Sequence, residues 1–142
     1  MYSKILLSVD LHDDASWRKA LPVAGEMAKT FGAELHLVTV VPKIPVGLVK
    51  PYLPDADEDH WVADASTQLA EFAKDHPATG TTATPHVVLG SIYSGILETA
   101  ERIGADLIVM GSHRPEMSDY LLGPNAARVV RHSDCSVLVV RD

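Results

Sequence analysis

The residues able to do chemistry fall in two stretches of the chain. One is Asp10, a carboxylate that closes the apolar run at residues 5–9. The other is Met110-Gly111-Ser112-His113-Arg114, followed by Gly123-Pro124-Asn125-Ala126. A glycine turn leading to a helix start suits phosphate, because free backbone N–H groups and the helix dipole converge on one point. Arg114 adds a planar guanidinium that takes phosphate oxygens in pairs. The ligand site is therefore expected at the end of the run 107–110, in a turn opening at Gly111 and a second turn at Leu122-Gly123-Pro124-Asn125.

Five apolar runs and the helical patterns between them must position these groups. Residues 5–9 form a short apolar run of the kind covered on both faces, read as a central strand. Residues 13–31 carry Ala20, Leu21, Ala24, Met27, Ala28 and Phe31 at helical spacing, with Asp13 or Asp14 to cap the start and Gly32 at the stop. Pro22 is expected to kink this helix. Residues 34–40 alternate as a second strand. Residues 41–54 hold Pro42, Pro45, Pro51 and Pro54, read as neither helix nor ordinary strand but as a lid or binding loop. The acidic run 55–59 is read as a helix start and not as a cation site. The inward stripe of that helix is Val62, Ala65, Leu69, Phe72 and Ala73, and Pro77 ends it. Residues 82–89 make a third strand, at a sheet edge because of Pro85. Ser91 is read as the N-cap of a helix closed by Gly104. Residues 106–111, 125–132 and 136–141 supply the fourth strand, a short helix and the fifth strand.

Strand alternating with helix throughout means α/β: a doubly wound, five-stranded parallel sheet in the order 3-2-1-4-5, with helices on both faces and right-handed crossovers. Such a Rossmann-like sheet binds ligands where the strand order reverses, which brings Asp10, Val40 and the Gly111 turn together under the proline-rich loop.

Composition narrows the partners. The 142 residues and 46% apolar content fit one domain spanning 1–142. A net charge of −7 argues against nonspecific nucleic-acid binding, so any phosphate must be held locally. One cysteine, Cys135, excludes an internal disulfide and reads as a packed small hydrophobe. The seven histidines lack zinc spacing. No run approaches the ~18 residues of a membrane span, and the first residues lead straight into a strand, which is read as cytoplasmic.

On the opening Lys4-Ile5-Leu6-Leu7-Ser8-Val9-Asp10, on the segment 104–113 and on the close from Leu121-Leu122-Gly123 through 129–141, the chain resembles the universal stress protein family over its full length. Nucleotide-binding members of that family are similar in carrying Gly-x2-Gly-x9-Gly-Ser/Thr after the fourth strand. Here Gly111 matches the first glycine and Arg114 stands at the second. Eight residues separate Arg114 from Gly123, and Pro124 replaces the Ser/Thr. The run Ser112-His113-Arg114-Pro115 with Tyr120-Leu121-Leu122-Gly123 resembles instead the F/G-like subgroup, where the same Arg-Pro replacement accompanies nucleotide binding.

The resemblance implies a dimeric module that binds ATP, with ADP or AMP as alternatives and Mg²⁺ as an optional companion. It implies that Asp10 accepts from the ribose or lies beside adenine. The Val40 backbone pairs with the adenine edge, and Met110 packs on the ring. Gly111, Ser112, His113, Arg114, Gly123, Asn125 and Ala126 then surround the phosphates. Loss of the second glycine removes close backbone approach, which the Arg114 charge offsets, and Pro124 removes one N–H donor. The resemblance also implies a homodimer paired through Ser136–Arg141, an apolar edge strand that invites a second copy.

No general base, phosphate-turn lysine or Walker-type Ser/Thr stands out, so the reading is a binding protein and not an enzyme, with slow hydrolysis left open. The alternative is a stress protein without nucleotide that acts as a protein-interaction module. A phosphorelay receiver fails because Val87-Val88-Leu89-Gly90 supplies no phosphoacceptor. A flavin site fails because Leu11-His12-Asp13-Asp14 is acidic where phosphate would bind.

Overall fold

The computed structural model describes residues 1–78, 80–112 and 122–141. The strands β1 (Lys4–Ser8), β2 (Glu34–Val41), β3 (Ala83–Leu89), β4 (Leu107–Ser112) and β5 (Ser136–Arg141) form one parallel sheet in the order β3-β2-β1-β4-β5, as expected. The helices are α1 (Ala20–Phe31), α2 (Val46–Val49), α3 (Glu58–Asp75), α4 (Ile92–Ile103) and α5 (Pro124–His132).

Side chains alternate across the sheet, so each central strand feeds two cores. Ile5, Leu7, Leu35, Leu37 and Val109 pack with Leu21 and Ala24 of α1 and with Leu69 and Phe72 of α3. Leu6, Val38, Ile108 and Met110 pack with Ile96 and Ala100 of α4 and with Ala126 and Val129 of α5. Both faces are covered, which explains why the strand sequences read as continuous apolar runs. On α4, Gly95 lets the helix lie close to the sheet: a Cβ there would sit 2.8 Å from a Val88 methyl and 2.9 Å from a Val40 methyl.

Four local expectations are corrected. The helix read across 13–31 is broken. A 3₁₀ turn at Asp14–Ser16 comes first, with the Asp13 carboxylate accepting the Ala15 N–H, and α1 begins only at Ala20. Pro22 then falls in the first turn of α1, where its missing N–H has no helical partner to lose, so the reason for a kink disappears. The proline-rich stretch is not wholly irregular: Val41 extends β2, and Val46–Val49 forms one helical turn. Ser91, by contrast, is the N-cap of α4 as expected, in extended backbone and with no capping bond from its side chain. Gly111 and Ser112 do not open a turn. They continue β4, opposite Val140 and Arg141.

Other expectations stand. Asp57 caps α3 by accepting the Asp59 N–H at 3.0 Å, with Glu58 and Asp59 in the first turn, which makes the acidic run a helix start. Gly32 and Gly104 close α1 and α4 in the left-handed region, at φ 64° and 73°. Pro85 lies on the edge strand β3. No helix among the described residues is long and apolar enough to cross a membrane.

Candidate functional site

At the carboxyl ends of the strands β1 leaves the sheet first. Its last rung to β2 is the Val9 N–H donating to the Val38 carbonyl at 2.9 Å, after which the chain turns at Asp10. Bonds to alternate residues of a strand point the same way, so Val40 directs its backbone toward the place β1 has just vacated. The turn is tied by its own polar groups. The Asp10 N–H donates to Ser16 Oγ at 2.9 Å, and that hydroxyl lies 2.8 Å from the Asp13 carbonyl and 3.2 Å from the Asp10 carbonyl. One Asp10 carboxylate oxygen accepts the His12 N–H at 2.9 Å. Asp10 therefore shapes its own loop, and the carboxylate is exposed to a ligand.

This loop lies on β4 at Gly111. A Cβ on Gly111 would sit 2.4 Å from the Ser16 carbonyl oxygen and 3.0 Å from that of Ala15, a collision with backbone that nothing local relieves. The glycine read as opening a phosphate turn is required first by close approach of the chain to itself.

Across the cleft stands the start of α5. Gly123 is its N-cap, in extended backbone with no side-chain cap, and Pro124 takes the first helical position. The first N–H bonded within this turn is that of Ala127, to the Gly123 carbonyl at 2.9 Å. Asn125 and Ala126 precede it with N–H groups that the helix itself does not use. These donors and the α5 dipole suit a phosphate-bearing group, and Asp10 opposite suits a hydroxyl-bearing one.

Together these elements line a cleft of about 430 Å³. Asp10, Val40, Met110, Gly111 and Ser112 from the strand ends meet Gly123, Asn125 and Ala126 from the α5 start around it. His113 and Arg114 lie outside the described residues. Pro42, from the loop read as a lid or binding loop, also lines the cleft, and so do His12, Ser16, Thr39 and Ile92, which were missed from sequence. Their signal was positional, since each follows or adjoins a strand end, but their residue types carry no motif. A smaller adjoining cleft of about 300 Å³ shares Asp10, His12, Thr39, Val40 and Pro42 and reaches Trp61, Asp64 and Gln68 on α3.

The fold and site define a doubly wound α/β protein with a cleft at the switch point of its sheet. The chain belongs to the universal stress protein family, whose model matches residues 1–141. It is 33% identical to universal stress protein G of Escherichia coli O157:H7 over 143 residues, covering 99% of this chain and 100% of that protein. Among solved structures it is similar to universal stress protein UspA of Lactobacillus plantarum, with TM-score 0.68 and 27% identity over 99% of this chain and 98% of that one. It is also similar to a universal stress protein in complex with cAMP, with TM-score 0.63 and 26% identity over 99% of this chain and 97% of that one.

Proposed function

We propose that this universal stress protein binds ATP, or another adenine nucleotide, in the cleft between Asp10 and α5, and that it works as a dimeric stress-response signalling module. The observation that carries the reading is one cleft holding the Asp10 carboxylate, the Val40 backbone and the Gly123–Ala126 start of α5 on its walls. The relative in complex with cAMP supports an adenine nucleotide as the ligand class.

In this reading Asp10 accepts from the ribose, the Val40 backbone meets the adenine edge, and Met110 supplies an apolar floor for the ring. The phosphates lie toward Gly123, Asn125 and Ala126, with Gly111, Ser112, His113 and Arg114 on the β4 side. Pro124 gives no N–H, so selection of the terminal phosphate rests more on charge than on backbone donors. Mg²⁺, where it accompanies the nucleotide, offsets the Asp10 and Asp13 carboxylates on the same wall. The reading assigns no catalytic step. The edge strand β5 pairs on one side with β4 and leaves its other side for a second copy, which gives the homodimer.

Calorimetric titration of nucleotide-stripped protein with ATP, ADP and AMP, with and without Mg²⁺, tests the ligand, and sedimentation tests the dimer. Binding at roughly micromolar ATP, about −8 kcal/mol, is the expected result. No heat and no thermal shift at high ligand concentration would favour the interaction-module reading, for which Pro124 and the acidic Asp10–Asp13 wall are the structural arguments.

A further inference from the structure

Away from the cleft, in the amino-terminal half of β2, two histidines fifty residues apart in sequence share a proton. His36 of β2 and His86 of β3 lie with rings 5.1 Å apart and 22° from parallel, and His36 Nδ1 is 2.8 Å from His86 Nε2. His36 is 9% exposed and sits beside α4, whose Arg102 brings Nη2 to 3.4 Å from His86 Nδ1. His36 Nε2 is buried with no hydrogen-bond partner among the described residues.

The protons can be assigned by elimination. Guanidinium nitrogens only donate, so His86 Nδ1 must accept from Arg102 and carry no proton. A neutral His86 then holds its proton on Nε2 and donates it to His36 Nδ1. His36 in turn holds its own proton on Nε2, the buried atom without a partner. This one arrangement satisfies both contacts with two neutral rings. A further proton has only two places to go. On His86 Nδ1 it faces the Arg102 cation, and on His36 Nδ1 it faces the His86 N–H. Either breaks a contact, and the added charge lies beside the Arg102 cation or on the buried His36 ring.

We propose that the His36–His86 pair is an acid-sensitive latch, in which uptake of a proton frees the edge strand β3 and the adjoining part of α4 from β2 while β1, β4 and β5 stay paired. The charged groups acting on the pair from the elements around it are Lys4 of β1, Glu34 of β2 and Arg102 of α4. Burial lowers His36 most, Glu34 opposes this and Lys4 adds to it. Glu34 is itself held by Lys4 at 3.4 Å. Burial, His36 and Arg102 all lower His86. With both imidazoles held below their ordinary 6.5, the opened strand binds protons that the closed one does not. Closure is fully favoured above that value and weakens as pH falls from it through the closed-state values. Opening bares the β2 edge and the sheet-facing side of α4, a change of surface at a distance from the ligand cleft.

Amide hydrogen exchange of the intact protein, expressed as protection factors at about pH 7.5 and about pH 5.5, tests the latch across the histidine range. Protection of the β3 amides should fall about tenfold per pH unit for each proton taken up, with β4 unchanged. The double variant His36→Leu/His86→Leu replaces both partners by apolar groups and should remove this dependence. Nitrogen-15 spectra of the wild-type imidazoles give a readout that does not need the variant to fold. They should show both rings neutral at pH 7, each protonated on Nε2, titrating below 6.5 together with the loss of β3 protection. Either ring titrating at or above 6.5, or β3 protection that does not follow the titration, would overturn the latch.

Discussion

The two rims of the sheet are built from the same kinds of strand end, yet one is closed and the other open. At the amino rim Asp106 spends its carboxylate on the backbone. One oxygen accepts the Ser3 N–H at 2.9 Å and the Ser3 hydroxyl at 3.0 Å, and the other accepts the Lys4 N–H at 2.9 Å. Backbone bonds from Asp106 N–H to the Lys4 carbonyl and from Glu34 N–H to the Ser3 carbonyl, both 3.0 Å, complete the seal. At the carboxyl rim Asp10 turns back on its own loop, and the N-cap of α5 is Gly123, which has no side chain to spend on the helix start. The difference lies in the backbone donors: those at the amino rim are met by a carboxylate, while the N–H groups of Asn125 and Ala126 are not used by their own helix.

The strongest way to break this contrast is to fill the open rim from below. Gly111→Val places side-chain carbon against the Ser16 carbonyl, where the glycine form already leaves only 2.4 Å for a Cβ. The loop carrying Asp10 must lift, because neither partner is the far end of a flexible side chain. Overpacking of this kind costs about 1–3 kcal/mol in stability. Displacing Asp10 from its place opposite α5 should weaken nucleotide binding by roughly 100-fold, near 3 kcal/mol. Chemical denaturation and calorimetric titration measure the two separately. Affinity equal to wild type would show that the cleft does not depend on the loop's seat against β4.

Asp106→Ala tests the closed rim and should do the converse. It removes acceptors from two backbone N–H groups and a hydroxyl in a partly exposed setting, a loss of about 1–2 kcal/mol in stability with nucleotide affinity unchanged. Acid makes the same point. Burial pushes the Asp106 carboxyl up, but the N–H bonds from Ser3 and Lys4 and the Ser3 hydroxyl outweigh it and hold the group below 3.8. A carboxyl lowered on folding contributes stability that is present above its ordinary value and lost as pH falls through the folded one. The wild type should therefore lose more stability than Asp106→Ala on acidification below that point, measured by thermal unfolding across acid pH. Parallel curves would remove Asp106 from the seal.

These two positions also show what could be read from the sequence and what could not. The five apolar runs followed from periodicity, because both faces of each central strand are buried and leave an uninterrupted signal, and the crossovers and strand order followed from the class of fold those runs define. Asp10, Val40, Met110 and Gly123 were reachable because the class of fold places strand ends and helix starts together. The reason for Gly111 was not reachable: the carbonyl it avoids belongs to Ser16, 95 positions earlier, and no local pattern reports that contact. The late start of α1 has a similar origin. Trp17 packs edge-on against Phe72 and His76 of the α3 segment, with centroids 4.9 and 4.8 Å away, and this holds the preceding residues out of the helix that their spacing suggested. His36 and His86 looked scattered because adjacent strands join residues that sequence separates.

The smallest expected effect sharpens the comparison within the open rim itself. The Ser16 hydroxyl binds both ends of the Asp10 turn, taking the Asp10 N–H and reaching the Asp13 carbonyl. Ser16→Ala leaves its backbone carbonyl against Gly111, so the loop keeps its seat on β4 and loses only its internal tie. Because this turn is partly exposed, water takes over the freed N–H and carbonyl, and stability should fall by no more than about 0.5–1 kcal/mol. The orientation of Asp10 is the quantity at risk. Nucleotide affinity should drop by about 3- to 10-fold, or 0.7–1.4 kcal/mol, with Ser16→Thr restoring it by returning the hydroxyl. A loss of affinity in Ser16→Thr as large as in Ser16→Ala would mean that packing at position 16, and not the hydroxyl, orients the carboxylate. The open rim would then be held by shape alone, unlike the hydrogen-bonded seal at Asp106.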